Sequence, residues 1–388
     1  MTKVGLPVDS TVISAGRVLT GPEDLSPGWV EVLGDRVSAV GRGAPPHRPD
    51  LDAPTMTVVP GFVDTHVHGG AAASYSTESH ADALAVARAH ADHGTTTHVA
   101  SLVTAPLDEL ARQVAALAEL VDEGLLAGIH LEGPWLSPRF RGAHDVADLR
   151  SPEASDVARL LDAGRGAIRM VTLAPELPGG LDAVRQVVDA GAVAAIGHTG
   201  ADYQTARAAI EAGASVATHL FNAMPQVHHR EPGPVIALLE DEAVAVELIL
   251  DNHHLHPATA ALAMRSSLGS FHLVTDAMAA TGAADGRYRL GSRVVDVADG
   301  VATLEGTQTL AGSTLTMDSA VRGAVAAGAS LLQAVRAATM LPAQHLQLPG
   351  VGQLAPGFRA DLVLLDDDLV VRRTMHGGRW LEPAGRDS

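Results

Sequence analysis

Between residues 58 and 277, short apolar segments alternate eight times with longer amphipathic or alanine-rich segments. The apolar segments have the length and composition of buried strands, and the intervening segments have helical patterns. Strands that alternate with helices form a parallel sheet, because a crossover must connect successive parallel strands. Eight repeats predict an α/β fold, a closed (β/α)8 barrel of the TIM type. The predicted strands are 58–68, 96–103, 127–133, 168–175, 192–199, 215–222, 244–251 and 271–277.

The segments outside this repeat predict a second, smaller domain. Residues 11–59 and the tail from residue 350 are typical of short strands separated by turns. We expect the two ends to pair into a small β-sandwich domain, 1–57 plus 346–388, beside a barrel of residues 58–345. Residues 279–310 predict a β-rich insertion after the eighth strand, with two helical stretches after it. An open doubly wound sheet is the alternative to the barrel, but no GxGxxG motif follows the first strand.

Composition limits what this chain can bind and which chemistry it can perform. The formal net charge of −18 opposes sequence-independent binding to nucleic acid or to an anionic membrane. The absence of cysteine excludes disulfides, thiolate metal ligands and a cysteine nucleophile. Lys3 is the single lysine, which excludes a Schiff-base lysine and a carbamylated lysine inside the barrel. With no apolar run near ~20 residues and no signal-peptide pattern, we expect a cytoplasmic location.

Polar side chains collect at the C-terminal ends of the predicted strands, where barrels of this type carry their active sites. The first strand ends in His66 and His68, which share a face because side chains alternate along a strand. Other strand ends carry His130, Glu132, His198, His219, Asn222 and Asp276. An isolated HxH pair is more often solvated than metal-bound. Five strands that deliver nitrogen and carboxylate ligands to one rim nevertheless favour a metal centre.

The residue types also indicate the metal and the reaction. Neutral imidazoles with one carboxylate suit Zn²⁺, Fe²⁺ or a similar ion better than Mg²⁺ or Ca²⁺. On the third strand Glu132 lies nearer the rim and is the predicted ligand, with His130 supporting it from below. Such an ion lowers the pKa of bound water from ~15.7 to ~7, which produces hydroxide at neutral pH. Asp276 is then the predicted proton acceptor and later donor in hydrolysis of a carbon–heteroatom bond.

A set of motifs in fixed order spans most of the chain. It comprises PGFVDTHVHGG, HLEGPW, GHTG, THLFNAMPQVHHREPG and LVTDAM, followed by the tail GQLAPGFRADLVLLD. Together they resemble the N-acetylglucosamine-6-phosphate deacetylase family of the amidohydrolase superfamily. The resemblance implies hydrolysis of the acetamide of N-acetylglucosamine 6-phosphate to glucosamine 6-phosphate and acetate, in amino-sugar catabolism and cell-wall recycling. It also implies a homodimer in which the phosphate site can borrow residues from the neighbouring subunit.

The resemblance further implies roles for individual residues. Glu132, His198 and His219 would hold the principal metal, while His66 and His68 would hold a second one bridged by Glu132. Asp276 would be the general base and acid, and His144 would hydrogen-bond the carbonyl side of the substrate. The implied substrate-binding set is His144, Asn222, Ala223, Arg230, His254, Leu310, Ala311 and Gly312, with Arg230 and His254 at the phosphate. One or two divalent ions are expected per subunit, Zn²⁺ first, with Fe, Mn, Co or Cd as alternatives.

Several alternatives stay open at this point. The galactosamine epimer of the substrate differs by the orientation of one hydroxyl, which a sequence does not reveal. Deaminase-like relatives are disfavoured by HLEGPW and REPG, and subtypes with a carbamylated lysine on the fourth strand are excluded by IRMVTLAPE. A non-catalytic binding protein on the same barrel is remote, because every expected ligand position is occupied. The loop AAASYSTES after HVHGG is less glycine-rich than the resemblance implies, which leaves its conformation open.

Overall fold

The structure, a computed structural model, describes residues 10–382. The strands are β1 (Ser10–Leu19), β2 (Asp24–Leu25), β3 (Gly28–Leu33), β4 (Arg36–Arg42), β5 (Leu51–Pro60), β6 (Phe62–Val67), β7 (Gly69–Gly70), β8 (Ala73–Ser74), β9 (Thr95–Val103), β10 (Gly128–Glu132), β11 (Ile168–Leu173), β12 (Val193–Ile196), β13 (Val216–Ala217), β14 (Ala245–Leu248), β15 (Ser270–Leu273), β16 (Gly286–Leu290), β17 (Arg293–Ala298), β18 (Val301–Leu304), β19 (Leu362–Leu365), β20 (Val371–His376) and β21 (Arg379–Trp380). The helices are α1 (His80–Ala91), α2 (Leu107–Asp122), α3 (Ala154–Gly164), α4 (Gly180–Asp189), α5 (Tyr203–Glu211), α6 (Gly233–Leu239), α7 (Pro257–Ser266), α8 (Met317–Ala326), α9 (Leu331–Ala337) and α10 (Met340–His345).

An eight-stranded sheet confirms the predicted (β/α)8 barrel. Its strand order is β6-β9-β10-β11-β12-β13-β14-β15, and the paired strands from β9 onward run parallel. The ends of the sheet meet beyond β15, where the Asp276 N–H donates to the His66 carbonyl oxygen at 2.8 Å. The His68 N–H donates to the Ala277 carbonyl oxygen at 2.8 Å in the same place. These bonds join the first barrel strand to the last at the rim.

None of the eight predicted strands has identical bounds in the structure, and most of them are shorter than predicted. Two of the differences have a clear local cause. The first strand, predicted as 58–68, is divided at Gly61 between β5 and the barrel strand β6. A Cβ at Gly61 would lie 2.1 Å from the Thr96 Oγ1, so a larger residue would not fit where the chain changes sheets. The sixth, predicted as 215–222, shortens to Val216–Ala217. It ends early because His219 has a left-handed backbone conformation, which takes the chain out of the strand.

The two ends of the chain form one mixed sheet, as expected for the small β domain. Its order is β21-β20-β19-β5-β1-β3-β4, with β2 beside β1. The β1 and β5 strands run parallel, whereas β19 joins β5 in antiparallel register. Apolar side chains from both ends of the sequence, among them Ile13, Val58, Leu362 and Leu364, form its core.

The described residues divide into two compact units. One contains those up to Val63, those of 90–97 and those from Ser330 onward, and the other contains 64–89 and 98–329. The domain bounds of 1–57 plus 346–388 and 58–345 stay a prediction, and Lys3 lies outside the described residues. No helix within residues 10–382 is both long and apolar enough to cross a membrane.

The predicted insertion after the eighth strand is a three-stranded antiparallel sheet of β16, β17 and β18. It has a small apolar core of its own, which includes Val295, Val297 and Leu304. Leu290, at the end of β16, belongs to this core and also lines the cavity described below. The insertion therefore contributes one wall of the site. Helices α8, α9 and α10 follow it, in agreement with the predicted helical stretches.

Candidate metal and substrate site

Two groups of buried side chains at the barrel rim could each hold a metal ion. The Glu132 group consists of Glu132, His198 and His219, and the His-x-His group consists of His66, His68 and Asp276. Within each group the potential ligand atoms lie within 4.8 Å of one another. Imidazole nitrogens and carboxylate oxygens at this spacing suit a divalent transition metal such as zinc. The structure thus brings together the side chains that the strand ends predicted.

Glu132 presents one carboxylate oxygen to each group. Its Oε1 lies 3.0 Å from the His198 Nε2 and 3.1 Å from the His219 Nε2. Its Oε2 lies 3.2 Å from the His68 Nε2 and 3.3 Å from the His144 Nε2. A carboxylate in this position can serve two ions at once.

The His-x-His group is organised by the pleat of β6. His66 and His68 point to the same face, and their Nε2 atoms lie 3.2 Å apart. The Asp276 Oδ1 is 3.1 Å from the His68 Nε2 and 3.5 Å from the His66 Nε2. The buried Asp64 connects the segments that carry His66 and Asp276. It accepts hydrogen bonds from the Thr275 hydroxyl at 2.5 Å and from the His66 N–H at 3.3 Å.

Three residues of the two groups have backbone conformations that non-glycine residues rarely adopt. The φ angles are +48° at His198, +28° at His219 and +49° at Asp276. Each residue lies just beyond the end of its barrel strand. Left-handed geometry of this kind costs about 1–3 kcal/mol per residue and is retained where function requires it. The strained turns carry these three side chains into the groups.

In three imidazoles of the two groups, the Nδ1 nitrogen has a hydrogen-bond partner. The His198 Nδ1 lies 2.9 Å from the Phe140 carbonyl oxygen, and the His68 Nδ1 lies 3.2 Å from that of Ser101. The His66 Nδ1 lies 3.1 Å from the Glu247 Oε2. An imidazole that donates its Nδ1–H to such an acceptor keeps the Nε2 lone pair free for a metal. The donor set therefore fits a metal ion.

Buried negative charge controls the titration of the His-x-His group. Burial disfavours the imidazolium of His66, but the charges of Asp276, Glu132 and Glu247 hold its pKa well above the usual value. Burial acts in the same way on His68, whose hydrogen bonds and charge interactions with Asp276 and Glu132 raise its pKa to about 9. In contrast, burial lowers the pKa of His219. The carboxylates thus favour positive charge at the His-x-His group.

His130 lies below the groups and takes no part in either of them. Its Nδ1 is 2.9 Å from the Ser101 hydroxyl, and its Nε2 is 2.8 Å from the Thr172 hydroxyl. Both ring nitrogens are therefore already engaged. Complete burial lowers the pKa of His130 well below the usual value, so the ring is neutral. This placement suits a supporting side chain.

A cavity of about 270 Å³ opens onto both groups. Of the predicted site residues, those in its lining are His68, Glu132, His144, His198, His219, Asn222, Ala223, His254, Asp276, Leu310 and Gly312. Residues that the sequence did not single out also line it, namely Gly142, Ala143, Leu290 and Thr309. The cavity is concave and carries convergent polar groups, as expected for a small-molecule site.

The structure does not bring every predicted site residue into the cavity wall. Arg230 is exposed in the segment between β13 and α6, outside the cavity lining. Ala311 is buried next to the lining residues Leu310 and Gly312 without being one of them, and the fully buried His66 is also absent from the lining. His254 does line the cavity, and its Nδ1 lies 2.7 Å from the Asp251 Oδ2. The proposed phosphate pair therefore has one member inside the cavity and one outside it.

The loop after His68 is a tight hairpin of β7 and β8. Its turn residues Ala71 and Ala72 have φ angles of +52° and +63°, in the left-handed region that glycine usually occupies. The Ala72 N–H donates to the Ala279 carbonyl oxygen at 2.7 Å, and the Tyr75 N–H donates to that of His68 at 2.8 Å. Backbone bonds therefore hold the conformation that the glycine-poor sequence left open.

Comparison with known proteins places this geometry in a family context. A family model described as the amidohydrolase family matches residues 57–381. The N-acetylgalactosamine-6-phosphate deacetylase of Escherichia coli O157:H7 is 36% identical over 375 residues, which cover 93% of this chain and 97% of that one. The human N-acetylglucosamine-6-phosphate deacetylase is 39% identical over 348 residues, which cover 85% of each chain.

Solved structures agree with this similarity. The N-acetyl-D-glucosamine-6-phosphate deacetylase of Mycobacterium smegmatis matches with a TM-score of 0.93 and 50% identity, over 96% of this chain and 100% of that one. A mutant of the same enzyme, in complex with N-acetyl-D-glucosamine-6-phosphate, matches with a TM-score of 0.93 and 52% identity. It covers 96% of this chain and 99% of that one.

Proposed function

Since the chain belongs to the amidohydrolase family, we propose that it hydrolyses the acetamide of N-acetylglucosamine 6-phosphate to glucosamine 6-phosphate and acetate. The observation that carries this proposal is the pair of ligand groups that Glu132 connects at the wall of the cavity. His144 and Asp276 lie in the same wall. These are the parts that metal-assisted hydrolysis of an amide requires.

A divalent ion in these groups would act as a Lewis acid, which polarises the amide carbonyl and makes water a stronger acid. The imidazole and carboxylate donors favour Zn²⁺, ahead of Fe, Mn, Co or Cd. Each group supplies three donors, so the protein would hold one or two ions per subunit. Glu132 would be the shared ligand if both groups were filled.

His144 orients the acyl group. The Thr104 N–H donates to the His144 Nδ1 at 3.4 Å, which places the imidazole proton on Nε2. That Nε2–H faces the Glu132 carboxylate at 3.3 Å and borders the cavity. It can donate to the carbonyl oxygen of a bound acetamide, where negative charge develops during attack by water.

Asp276 moves the proton that the reaction requires. Burial disfavours its charged form, but the neighbouring His66 and His68 hold its pKa below the usual value, so it is a carboxylate ready to accept a proton. It takes a proton from the attacking water as the oxygen bonds to the carbonyl carbon. It then returns the proton to the nitrogen as the C–N bond breaks, which releases acetate and the amine.

The phosphate group binds near His254. Burial opposes the charge on this imidazole, but the hydrogen bond and charge of Asp251 raise its pKa above the usual value. Arg230 is exposed and outside the cavity, as expected if it reaches the phosphate of a neighbouring subunit in a homodimer. Asn222 and Ala223 lie in the cavity lining with His254, where they would contact the sugar.

N-acetylgalactosamine 6-phosphate is the second candidate substrate. The relative from Escherichia coli O157:H7 carries that name and matches this chain over 97% of its own length. The two sugars differ in the orientation of one hydroxyl, so the same metal and phosphate groups can serve both.

The experiment is acetate release by zinc-loaded protein from N-acetylglucosamine 6-phosphate, its unphosphorylated form and N-acetylgalactosamine 6-phosphate. We expect the highest kcat/KM with the first. A higher value with the galactosamine epimer would support the second candidate, and no release from any of the three would refute the deacetylase function.

Arg230→Ala tests the phosphate site in the same assay. KM for the phosphorylated sugar should rise by about 10–100-fold, because a charge-assisted contact is lost, while KM for the unphosphorylated sugar stays the same. Arg265→Ala removes another exposed arginine, on α7, and is the matched control. An equal effect of Arg230→Ala on both sugars would show that Arg230 does not bind the phosphate.

A further inference from the structure

We propose that Glu247, on β14, is a positioning residue that controls how firmly the His-x-His group holds its metal ion. The inference rests on the metal-dependent function proposed above. Glu247 is a charged residue in the otherwise apolar strand segment VAVELIL, and only 1% of its surface is exposed. A carboxylate is costly in such a place unless it has a partner.

That partner is His66. The Glu247 Oε2 lies 3.1 Å from the His66 Nδ1, and the two residues are 181 positions apart in the chain. His68 and His198 also have a hydrogen-bond partner for Nδ1, but in both cases the partner is a backbone carbonyl oxygen. His66 is thus the one ligand imidazole in residues 10–382 whose Nδ1 bonds to a carboxylate.

The carboxylate has two effects on His66. It holds the proton on Nδ1, so that the Nε2 lone pair points at the metal position, and it makes Nε2 a stronger donor than a neutral carbonyl would. The His66 Nε2 is 3.2 Å from the His68 Nε2 and 3.5 Å from the Asp276 Oδ1. Loss of Glu247 therefore affects the metal position without removing a ligand.

Glu247 also bears on the number of ions. Glu132, Asp276 and Glu247 all lie within 3.6 Å of His66, and among the described residues their ion-pair partners are imidazoles alone. With the imidazoles neutral, one divalent ion would supply two positive charges against these three carboxylates, whereas two ions would supply four. Buried charges require such compensation. Glu247 therefore favours occupancy of both groups.

Glu247 also forms a longer hydrogen bond with the Glu132 group. The backbone N–H of His219 donates to the Glu247 Oε2 at 3.4 Å. This bond is longer than the one to His66, and it involves the backbone of His219 rather than its ring. We therefore expect the Glu132 group to be affected much less than the His-x-His group.

The test measures zinc content rather than turnover. Zinc-loaded full-length protein is dialysed against a series of chelator-buffered free Zn²⁺ concentrations, and bound zinc per chain is determined by mass spectrometry. The wild type should show two ions that dissociate in two steps. Glu247→Gln should weaken one step by about 10–100-fold and leave the other within about threefold of the wild type.

Further variants make the result specific. His66→Asn should abolish the same step, and adding Glu247→Gln to it should change the zinc content no further. Asp318→Asn alters another buried carboxylate, which pairs with Arg322 on α8, and should leave both steps unchanged. If Glu247→Gln does not fold, Glu247→Asp takes its place, because it keeps the charge, withdraws it by one methylene and should weaken the same step.

The possible outcomes separate the two proposals. Unchanged zinc affinity in Glu247→Gln, equal weakening of both steps, or a wild type that holds a single ion would each overturn the inference. Acetate release by the wild type is measured independently, so the role of Glu247 can fail while the deacetylase function stands. If acetate release fails instead, the zinc measurement still decides the role of Glu247.

Discussion

The two ligand groups hold similar side chains on different backbones and in different charge environments. In the Glu132 group, His198 and His219 lie in strained left-handed turns beyond their strands. In the His-x-His group, His66 belongs to the regular strand β6 and His68 follows it directly. The pKa of His219 is lowered by burial, whereas nearby carboxylates raise the pKa values of His66 and His68 despite burial.

This difference in pKa predicts how each group binds a metal ion. Burial lowers the pKa of His219, so at neutral pH this imidazole does not carry a second proton that an ion would have to displace. When no ion is bound, the raised pKa values of His66 and His68 favour rings that carry a second proton, which an ion must displace before it binds. We therefore expect the Glu132 group to fill first and the His-x-His group to fill in a pH-dependent second step.

The largest effect should come from Glu132→Gln, which removes the carboxylate common to both groups. The side-chain amide has one acceptor oxygen where the carboxylate has two. At most one of the two groups therefore keeps an oxygen from residue 132, and that oxygen is uncharged and binds a metal ion more weakly. We expect loss of both ions and a fall in kcat/KM of roughly 10⁴-fold or more. Glu211→Gln, at an exposed position on α5, is the control. Retention of one ion at full affinity would show that Glu132 serves a single group.

Asp276→Asn should have the next largest effect, because Asp276 is both the proposed proton acceptor and a candidate ligand of the His-x-His group. We expect kcat to fall by about 10²–10⁴-fold, because the amide cannot accept the proton of the attacking water. The ion of the Glu132 group should remain, since Asp276 is not among its ligands. Zinc analysis alongside kinetics checks both points, and turnover near the wild-type rate would contradict the assigned role.

Zinc affinity measured from about pH 6 to about pH 9 tests the charge difference between the groups. The raised pKa values mean that His66 and His68 are protonated at the lower pH, so protons compete with the ion. Affinity of the weaker step should rise with pH by up to about tenfold per unit for each proton displaced. The tighter step should depend less on pH. Equal slopes for the two steps would refute the comparison.

The smallest effect should come from Asp251→Asn, which leaves both groups intact. Asp251 raises the pKa of His254, so the wild-type imidazolium persists to higher pH and is lost as the pH rises through that value. In the variant the charge is lost at a lower pH. KM for the phosphorylated sugar should then begin to rise at lower pH, by about threefold. The unphosphorylated sugar is the control, and a parallel change in its KM would exclude an effect through the phosphate.

Much of the fold could be predicted because its signals are local. Each barrel strand is a short apolar run, and the eight runs together predict the barrel without any information on tertiary contacts. The division of the first strand at Gly61 could not be predicted, because the close approach of Thr96 that requires glycine there is a tertiary contact. The position of Arg230 outside the cavity lining could not be predicted from the motif REPG either.

The site residues also divide into those that local patterns predict and those that depend on tertiary contacts. The period of two along β6 was enough to place His66 and His68 on one face, and the strand ends were enough to name the remaining ligands. The charged residue in VAVELIL was a visible signal for Glu247, but its partner was not. Nothing in the insertion predicted that Leu290 or Thr309 would line the cavity.

The sequence by itself determined the barrel, the residues that can bind metal and the order of the motifs, because spacing and hydrophobic pattern act over a few residues. Only the tertiary structure decided which of those residues meet. Closure of the barrel brings the strand of His66 to that of Glu247, and left-handed turns aim His198 and Asp276 inward. Such contacts join positions far apart in the chain, so they depend on packing of the whole sheet rather than on any local pattern.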